Sequence, residues 1–182
     1  TYAVLPLFVL MGAFPARAGF AKDAFDATQV WLGKIPGSIA VATCWANAAF
    51  GAASGSSLAA AAVFGRVALP EMQRLKYEKS FSLGCIASAG TFASMIPPSG
   101  VLIVLAIITD QSIGVLFMAG ILPGLFTAAV YSASIIYRSH RNPLLAPRAE
   151  NQPSYSLVEK MKYTPQLWPI ALLVVVLLGG IY

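Results

Sequence analysis

The amino-acid sequence predicts an all-α integral membrane protein with polytopic helices, one re-entrant helical hairpin and one membrane helix broken at two prolines. Three observations predict this fold class. Hydrophobic residues make up 58% of the chain and charged residues only 10%, whereas soluble domains carry about 25% charged residues. A Gly/Ser-rich turn at residues 51–57 interrupts an alanine-rich apolar run. Pro97 and Pro98 interrupt a second run, residues 80–109, which has no charge in 30 positions.

The charged residues indicate how the chain crosses the bilayer. All 12 Lys and Arg residues fall in three polar stretches, while the short connection at Asp110 has none. Because basic loops stay in the cytoplasm, we expect these stretches to be cytoplasmic and the Asp110 connection to be periplasmic. The net charge of +5 then reflects topology, and no nucleic-acid partner is expected. The basic residues are Arg17, Lys22 and Lys34, then Arg66, Arg74, Lys76 and Lys79, then Arg138, Arg141, Arg148, Lys160 and Lys162.

Two elements precede the hairpin. Residues 1–14 are apolar but shorter than the roughly 20 residues that span a bilayer, which predicts the end of a membrane helix in a longer polypeptide. Residues 20–35 place Phe20, Phe25 and Trp31 at helical spacing on one face and charged residues on the other. This pattern is typical of an interfacial helix on the cytoplasmic membrane surface. A solvated connecting helix is the alternative.

The predicted re-entrant hairpin covers residues 37–69. Between positions 40 and 62, 16 of 23 residues are Ala, Gly or Ser. Lys34 and Arg66 flank this run and belong on the same side of the membrane, which a single spanning helix does not allow. The arms, 37–53 and 58–69, are about 25 and 18 Å long at 1.5 Å per residue, so their tip at residues 54–57 reaches about mid-membrane. The alternative is one helix that packs through its small residues.

A broken membrane helix is predicted over residues 80–109. Since proline has no N–H, Pro97 and Pro98 release the carbonyls of Ala93 and Ser94. A proline kink repaired by neighbouring helices is the alternative, but two successive prolines followed by Ser-Gly favour a break. Residues 113–137 then form one long helix, residues 138–166 a cytoplasmic linker with four prolines, and residues 167–182 the start of the next membrane helix.

No residue pattern of an enzyme is found in the sequence. It contains no Ser/His/Asp set, no paired carboxylates and no Cys/His cluster, since Cys44 and Cys85 lie in apolar segments and His140 in a basic loop. The glycine-rich turn lacks the lysine of a phosphate-binding P-loop. We therefore expect a protein that is not an enzyme and that binds no cofactor.

The two interrupted elements present neutral oxygen atoms at membrane depth. Unwound carbonyls coordinate cations in transporters, and half-helix ends favour ions of opposite sign. The lack of Asp, Glu and His in these segments argues against a proton relay, so Na⁺ is the expected coupling ion. The candidate ion and substrate site comprises Gly51, Ser54, Gly55, Ser56, Ser57, Ala93, Ser94, Pro97, Pro98 and Ser99, with Ser54, Ser56, Ser57, Ser94 and Ser99 as the candidate Na⁺ ligands.

Three functions are compatible with such a site. A secondary transporter is favoured, because a hairpin is paired with a proline-broken helix. An ion channel with a re-entrant pore loop is the second hypothesis, and a non-transporting scaffold of a membrane complex is the third. Saturation of flux at low substrate separates a transporter from a channel, and sodium-dependent stabilisation separates it from a scaffold.

Three motifs in this order resemble the large membrane subunit, of DctM type, of the tripartite ATP-independent periplasmic (TRAP) transporters. They are the run from Phe50 to Ser57, the stretch Ile-Pro-Pro-Ser at residues 96–99, and the segment of residues 112–125. The resemblance covers nearly the whole chain, from about residue 5. By this resemblance, the family's hairpin tip corresponds to Ser54, Gly55, Ser56 and Ser57, and its broken helix corresponds to Pro97, Pro98 and Ser99.

The resemblance implies an elevator-type permease of the bacterial inner membrane that uses a sodium gradient. Its implied partners are a small membrane subunit, a periplasmic substrate-binding protein and an organic acid, such as a C4-dicarboxylate or sialic acid. Residues 1–137 would form the first transport repeat, and a second, inverted repeat would be missing. One position departs from the family pattern: many members carry an aspartate shortly after the tip, where this chain has Ala60.

Overall fold

The computed structural model describes residues 19–33 and 35–147, and all the regular secondary structure in this part of the chain is helical. The predicted all-α class is therefore confirmed. The predicted membrane helices at 1–14 and 167–182 and most of the predicted linker lie outside the described residues. The helices are α1 (Phe20–Leu32), α2 (Ser38–Ser54), α3 (Ser57–Arg74), α4 (Lys79–Ala93), α5 (Gly100–Thr109) and α6 (Ile113–Arg141).

Helix α1 is amphipathic, and it packs mainly on α2. It ends at Leu32, three residues before the predicted end, because Gly33 leaves the helical conformation with φ of +55°. Its buried face is formed by alanines together with Phe25 and Val30. Trp31, predicted on the apolar face, is 48% exposed. Neither the interfacial position of this helix nor the solvated alternative is tested by these contacts.

Helices α2 and α3 are joined by a two-residue turn and pack against each other. Helix α2 is buried along nearly its whole length, since its many small side chains let neighbouring helices approach closely. Phe50 of α2 and Phe64 of α3 are fully buried and meet edge to face, with ring centroids 5.9 Å apart. This aromatic pair fixes the two arms below the turn.

The predicted end of the second arm at residue 69 is wrong. Helix α3 continues through Pro70 to Arg74, so the connection to α4 covers only residues 75–78. Proline costs this helix one hydrogen bond, but the last turn is supported by an ion pair between Arg74 and Glu71. Exposure of Pro70 keeps its ring away from the core.

Helices α4 and α5 are separated by residues 94–99, and α6 is the longest helix. Helix α6 extends four residues beyond the predicted end, to Arg141, and contains Pro123 without being interrupted. Within residues 19–33 and 35–147, α6 alone is both long and apolar enough to cross a membrane. Its buried side faces α2, α4 and α5.

The first turn of α2 is held by the connection between α3 and α4. Tyr77 in that connection is buried, and its hydroxyl lies against Ser38 and the backbone of Ile39. Burial raises the pKa of Tyr77 to about 12, although these hydrogen bonds act in the opposite direction. One turn further along α2, the Cys44 thiol donates to the carbonyl of Ala128 at 3.7 Å. These contacts position α2, and with it the tip, relative to α6.

Candidate functional site

The turn between α2 and α3 satisfies its polar groups from within itself. Gly55 adopts the left-handed conformation, with φ of +62°, and its N–H donates to the carbonyl of Gly51 at 2.7 Å. Ser56 is extended and caps α3, since its hydroxyl oxygen accepts the N–H of Ala59 at 3.3 Å. The Ser54 hydroxyl accepts the Ser56 N–H at 3.5 Å. The sequence Ser-Gly-Ser therefore folds here because glycine allows the turn and serine caps the next helix.

The interruption between α4 and α5 leaves a polar group unsatisfied. The peptide bond between Pro97 and Pro98 is cis, and both residues are buried. Ser99 precedes the first residue of α5 in an extended conformation, yet its hydroxyl caps no N–H. That hydroxyl is fully buried and has no hydrogen-bond partner among the residues the structure describes. A buried hydroxyl without a partner costs about 1–3 kcal/mol.

The turn and the interruption meet directly. The N–H of Gly100, at the start of α5, donates to the carbonyl of Gly55 at 3.3 Å. A second contact lies nearby, because a Cβ atom at Gly90 of α4 would be 3.3 Å from the carbonyl oxygen of Ser57. The structure thus brings together two elements that are separated by more than 40 residues in the sequence.

The predicted site residues do not all have the same surroundings. Gly51, Ser54 and Gly55 are buried at the end of α2. Ser99 lies close to them, because its neighbour Gly100 is hydrogen-bonded to Gly55. The Ser94 hydroxyl instead donates to the carbonyl of Thr91 within its own turn, at 2.7 Å. Ala93 is the last residue of α4. The Ser94 side chain is not brought to the tip by any contact that the structure describes.

Two glycines of α6 take part in the site without having been identified from the sequence. A Cβ atom at Gly120 would lie 2.9 Å from the carbonyl oxygen of Met95, and one at Gly124 would lie 2.8 Å from Cγ1 of Ile96. Any larger residue would push against the interrupted segment. The signal was present as a Gly-x-x-x-Gly spacing, which is typical of close helix contacts in membranes.

Asn47 is the other residue that sequence reasoning missed. It is fully buried in α2, two turns before Ser54, and neither its amide oxygen nor its amide nitrogen has a partner among the described residues. On the same helix face, Thr43 donates to the carbonyl of Ile39 at 2.8 Å and is satisfied. Asn47 and Ser99 thus each hold buried polar atoms without a partner in the described part of the chain.

The arrangement suits a cation bound by neutral oxygens. No group of His, Cys, Asp and Glu that is able to hold a metal ion occurs in residues 19–33 and 35–147. Carbonyl oxygens have two lone pairs, so that of Gly55 can still bind a cation while it accepts the Gly100 N–H. The fully buried hydroxyl of Ser99 supplies a further oxygen. An aspartate at position 60 would be buried, since Ala60 is fully buried.

Helix dipoles give the site a polarity. The carboxyl end of α2 at Gly55 carries partial negative charge, and the amino ends of α3 and α5, at Ser57 and Gly100, carry partial positive charge. A cation is favoured near the first and an anion near the other two. The carboxyl end of α2 and the amino end of α5 are in contact, because Gly55 and Gly100 are hydrogen-bonded.

Comparison with known proteins agrees with this architecture. A family profile described as "Tripartite ATP-independent periplasmic transporter, DctM component" matches residues 1–182. The chain is 37% identical over its full length to the C4-dicarboxylate TRAP transporter large permease protein DctM of Pseudomonas aeruginosa, covering 42% of that protein. It is 34% identical to the ectoine TRAP transporter large permease protein TeaC of Halomonas elongata, over 98% of the chain and 40% of that protein.

A third relative is the sialic acid TRAP transporter large permease protein SiaM of Vibrio cholerae, which is 30% identical over the full chain and of which 42% is covered. The chain thus spans about two fifths of the length of these relatives. By their names, the relatives are permease subunits of transporters and not enzymes. The full-length family match and these identities confirm the resemblance, and the chain belongs to the DctM component family of tripartite ATP-independent periplasmic transporters.

Proposed function

We propose that this chain is the first transport repeat of a sodium-coupled permease that imports an organic acid delivered by a periplasmic binding protein. The hairpin tip and the Pro-Pro interruption would together form the ion and substrate site. The observation that carries the proposal is the unpartnered, fully buried Ser99 hydroxyl beside the hydrogen bond between Gly100 and Gly55. A bound cation would satisfy that oxygen.

Sodium suits this site better than a proton or a divalent cation. The tip and the interruption contain serine hydroxyls and backbone carbonyls but no carboxylate. A proton relay through the membrane ordinarily uses Asp, Glu or His, and hard divalent cations favour carboxylate ligands. Neutral oxygens at unwound helices are the ligands that sodium-coupled transporters use.

The substrate class follows from the relatives and from the helix ends. Relatives are named for C4-dicarboxylate, ectoine and sialic acid, all of which carry a carboxylate. The amino ends of α3 and α5 favour such an anion. The proposed partners are a small membrane subunit, a periplasmic binding protein and the second, inverted repeat of the permease, which supplies the remaining part of the site.

The proposed location is the bacterial inner membrane, with α2 and α3 as a re-entrant hairpin. Helix α2 has 17 residues and α3 has 18, or about 26 and 27 Å at 1.5 Å per residue, so upright arms would carry the tip beyond the middle of a hydrocarbon core of about 30 Å. Their outer ends both connect to basic segments, around Lys34 and Lys76, and basic segments favour the cytoplasmic side. The connection at Asp110 is then periplasmic.

Sodium-dependent uptake by the full-length permease, reconstituted with its small subunit and binding protein, tests the proposed site. The transported ligand is first identified by thermal-shift screening of the binding protein with succinate, sialic acid and ectoine. Ser99→Ala and Ser56→Ala are each expected to lower sodium-dependent uptake at least tenfold. Wild-type uptake in both variants would show that the proposed site is wrong.

Ser82→Ala is the matched control for these variants. Ser82 is also a fully buried serine, but its hydroxyl donates to the carbonyl of Glu78 at 2.9 Å, far from the tip. Its replacement is expected to leave uptake within twofold of the wild type. An equal loss of uptake in Ser82→Ala would mean that any buried serine is needed for folding, and the assignment of Ser99 would then have no support.

Cysteine accessibility tests the re-entrant topology. In a variant in which Cys44 and Cys85 are replaced by alanine, a cysteine at Gln111 is expected to react with a membrane-impermeant maleimide from the periplasm. A cysteine at Lys76 is expected to react only after the membrane is opened. Labelling of both positions from outside would contradict the hairpin topology.

A further inference from the structure

A cleft of about 270 Å³ opens between α4 and α6, on the side of the molecule away from the hairpin tip. Aromatic contacts bound it at both ends. The guanidinium of Arg138 lies 5.8 Å from the ring centroid of Phe81, and the rings of Phe92 and Tyr131 are 5.7 Å apart. Between these contacts, Ser88, Ser134 and Gly84 line the cleft. None of these residues belongs to the proposed ion site.

Arg138 brings a positive charge to this cleft. Within the part of the chain that the structure describes, no carboxylate lies within 4 Å of its guanidinium. One carboxylate, that of Glu78, also lines the cleft and attracts Arg138, while its two oxygens accept the N–H groups of Ser80 at 3.1 Å and Phe81 at 2.8 Å. Lys79 and Arg141 add two further exposed positive charges nearby. The mouth of the cleft therefore favours an anion.

The position of Arg138 along α6 identifies the level of the bilayer at which the cleft opens. Twenty-five uncharged residues, from Ile113 to Tyr137, precede it in the helix, or about 38 Å at 1.5 Å per residue. The hydrocarbon core is about 30 Å thick, so Arg138 lies at the level of the lipid headgroups. From Ser134, the exposed side chains of Val130 and Phe126 continue one and two turns towards the membrane centre.

We propose that this cleft binds one anionic phospholipid, with its phosphate at Arg138 and its acyl chains along Val130 and Phe126. A guanidinium forms paired hydrogen bonds with phosphate oxygens, and the Ser134 hydroxyl is exposed beside it as a further donor. Basic pockets between membrane helices at the headgroup level are known to hold acidic lipid headgroups. The lipid site is separate from the ion and substrate site and does not depend on which ion or substrate is transported.

Native mass spectrometry of the full-length permease, titrated with phosphatidylglycerol, tests this proposal. The wild type is expected to bind one phosphatidylglycerol more tightly than phosphatidylcholine. Arg138→Gln is expected to weaken this binding at least tenfold. Gly84→Leu is expected to weaken it as strongly by filling the cleft, since a Cβ atom at Gly84 meets nothing within 4 Å and leucine is a better helix former than glycine.

Gly65→Leu is the matched control. Gly65 of α3 is likewise helical with nothing within 4 Å of its Cβ position, but it lies outside the cleft, so phosphatidylglycerol binding should stay at the wild-type level. Inorganic phosphate at millimolar concentration is expected not to compete, because it has no acyl chains. If inorganic phosphate competed fully with phosphatidylglycerol, the cleft would bind a free anion and the lipid proposal would be wrong.

Two other outcomes would also overturn the proposal. Unchanged phosphatidylglycerol affinity in Gly84→Leu would place the lipid elsewhere, even if Arg138→Gln does not fold. A loss of thermal stability in Gly84→Leu, with no tightly bound lipid in the wild type, would show that another part of the full-length permease fills the cleft.

Discussion

The two interruptions that meet at the tip differ in how their polar groups are satisfied. The turn at Gly55 and Ser56 provides its own partners, through one backbone hydrogen bond and two serine side chains. The interruption at residues 94–99 ends in a buried Ser99 whose hydroxyl has no partner in the described chain. The turn thus folds without needing a ligand, whereas the interruption has an oxygen that a ligand would satisfy.

This difference assigns separate roles to serines that look alike in the sequence. Removing a hydroxyl that caps a helix costs stability. Removing one that has no partner in the folded chain costs little stability, but it removes a possible ligand. Ser56→Ala should therefore lower both stability and uptake, whereas Ser99→Ala should lower uptake with little change in stability.

The largest loss of stability is expected from Gly120→Ala, which pushes on the interruption. The new Cβ atom would lie 2.9 Å from the Met95 carbonyl oxygen, and overpacking of this kind costs about 1–3 kcal/mol. The free energy of unfolding, measured for the full-length permease in detergent, should fall accordingly. Gly65→Ala, with nothing within 4 Å, should instead match or exceed wild-type stability, and a similar loss in both variants would contradict the close packing on Met95.

A smaller loss is expected from Gly55→Ala at the turn. The φ of +62° at Gly55 is unfavourable for alanine, and the cost is about 1 kcal/mol. Gly55→Asn is the matched variant, since asparagine tolerates the left-handed region better than alanine. It should recover part of the loss in the same unfolding measurement. Equal stability of the wild type and Gly55→Ala would mean that the turn has another conformation.

Ser56→Ala should cost less again, about 0.5–1 kcal/mol, because it removes a helix cap whose hydrogen bond is long, at 3.3 Å. Ser56→Asp restores a capping oxygen and should recover the stability. If Ser56→Ala has no effect while Ser99→Ala is destabilising, the assignment of the two serines would be reversed.

The smallest effect concerns pH and the opposite end of α4. Hydrogen bonds from the N–H of Phe81 and from Ser80 hold the pKa of Glu78 below its ordinary value of 4.5. The ionised carboxylate therefore contributes stability above pH 4.5, and this contribution is lost as the pH falls through the lowered pKa. The melting temperature of Glu78→Gln should be slightly below that of the wild type at pH 7, and the two should converge below pH 4.5. A constant difference at every pH would contradict this cap.

Much of the fold was predictable because its signals are local. Helix content follows from apolar periodicity, the turn from Ser-Gly-Ser, and the interruption from two prolines. The end of α3 was not predicted, because proline ordinarily ends a helix, whereas α3 continues through the exposed Pro70 to Arg74.

Most residues of the candidate site were predictable from the sequence, but the contacts between them were not. Ser99 and Gly55 were identified from the sequence, whereas the hydrogen bond between Gly100 and Gly55 depends on how α5 docks. Ser94 was proposed as a ligand, and its hydroxyl donates to a carbonyl within its own turn, so its role as a ligand stays a prediction. Asn47 was missed, because an asparagine in an alanine-rich helix carries no motif, and only its burial without partners distinguishes it.

In the proposed site, Ser99 offers its hydroxyl to a sodium ion and not to the protein. The most direct test is the melting temperature of the full-length permease in NaCl and in KCl, for the wild type and for Ser99→Ala. Sodium is expected to raise the melting temperature of the wild type, and Ser99→Ala should match the wild type in KCl but lose most of the rise in NaCl. An undiminished sodium-dependent rise in Ser99→Ala would contradict the claim.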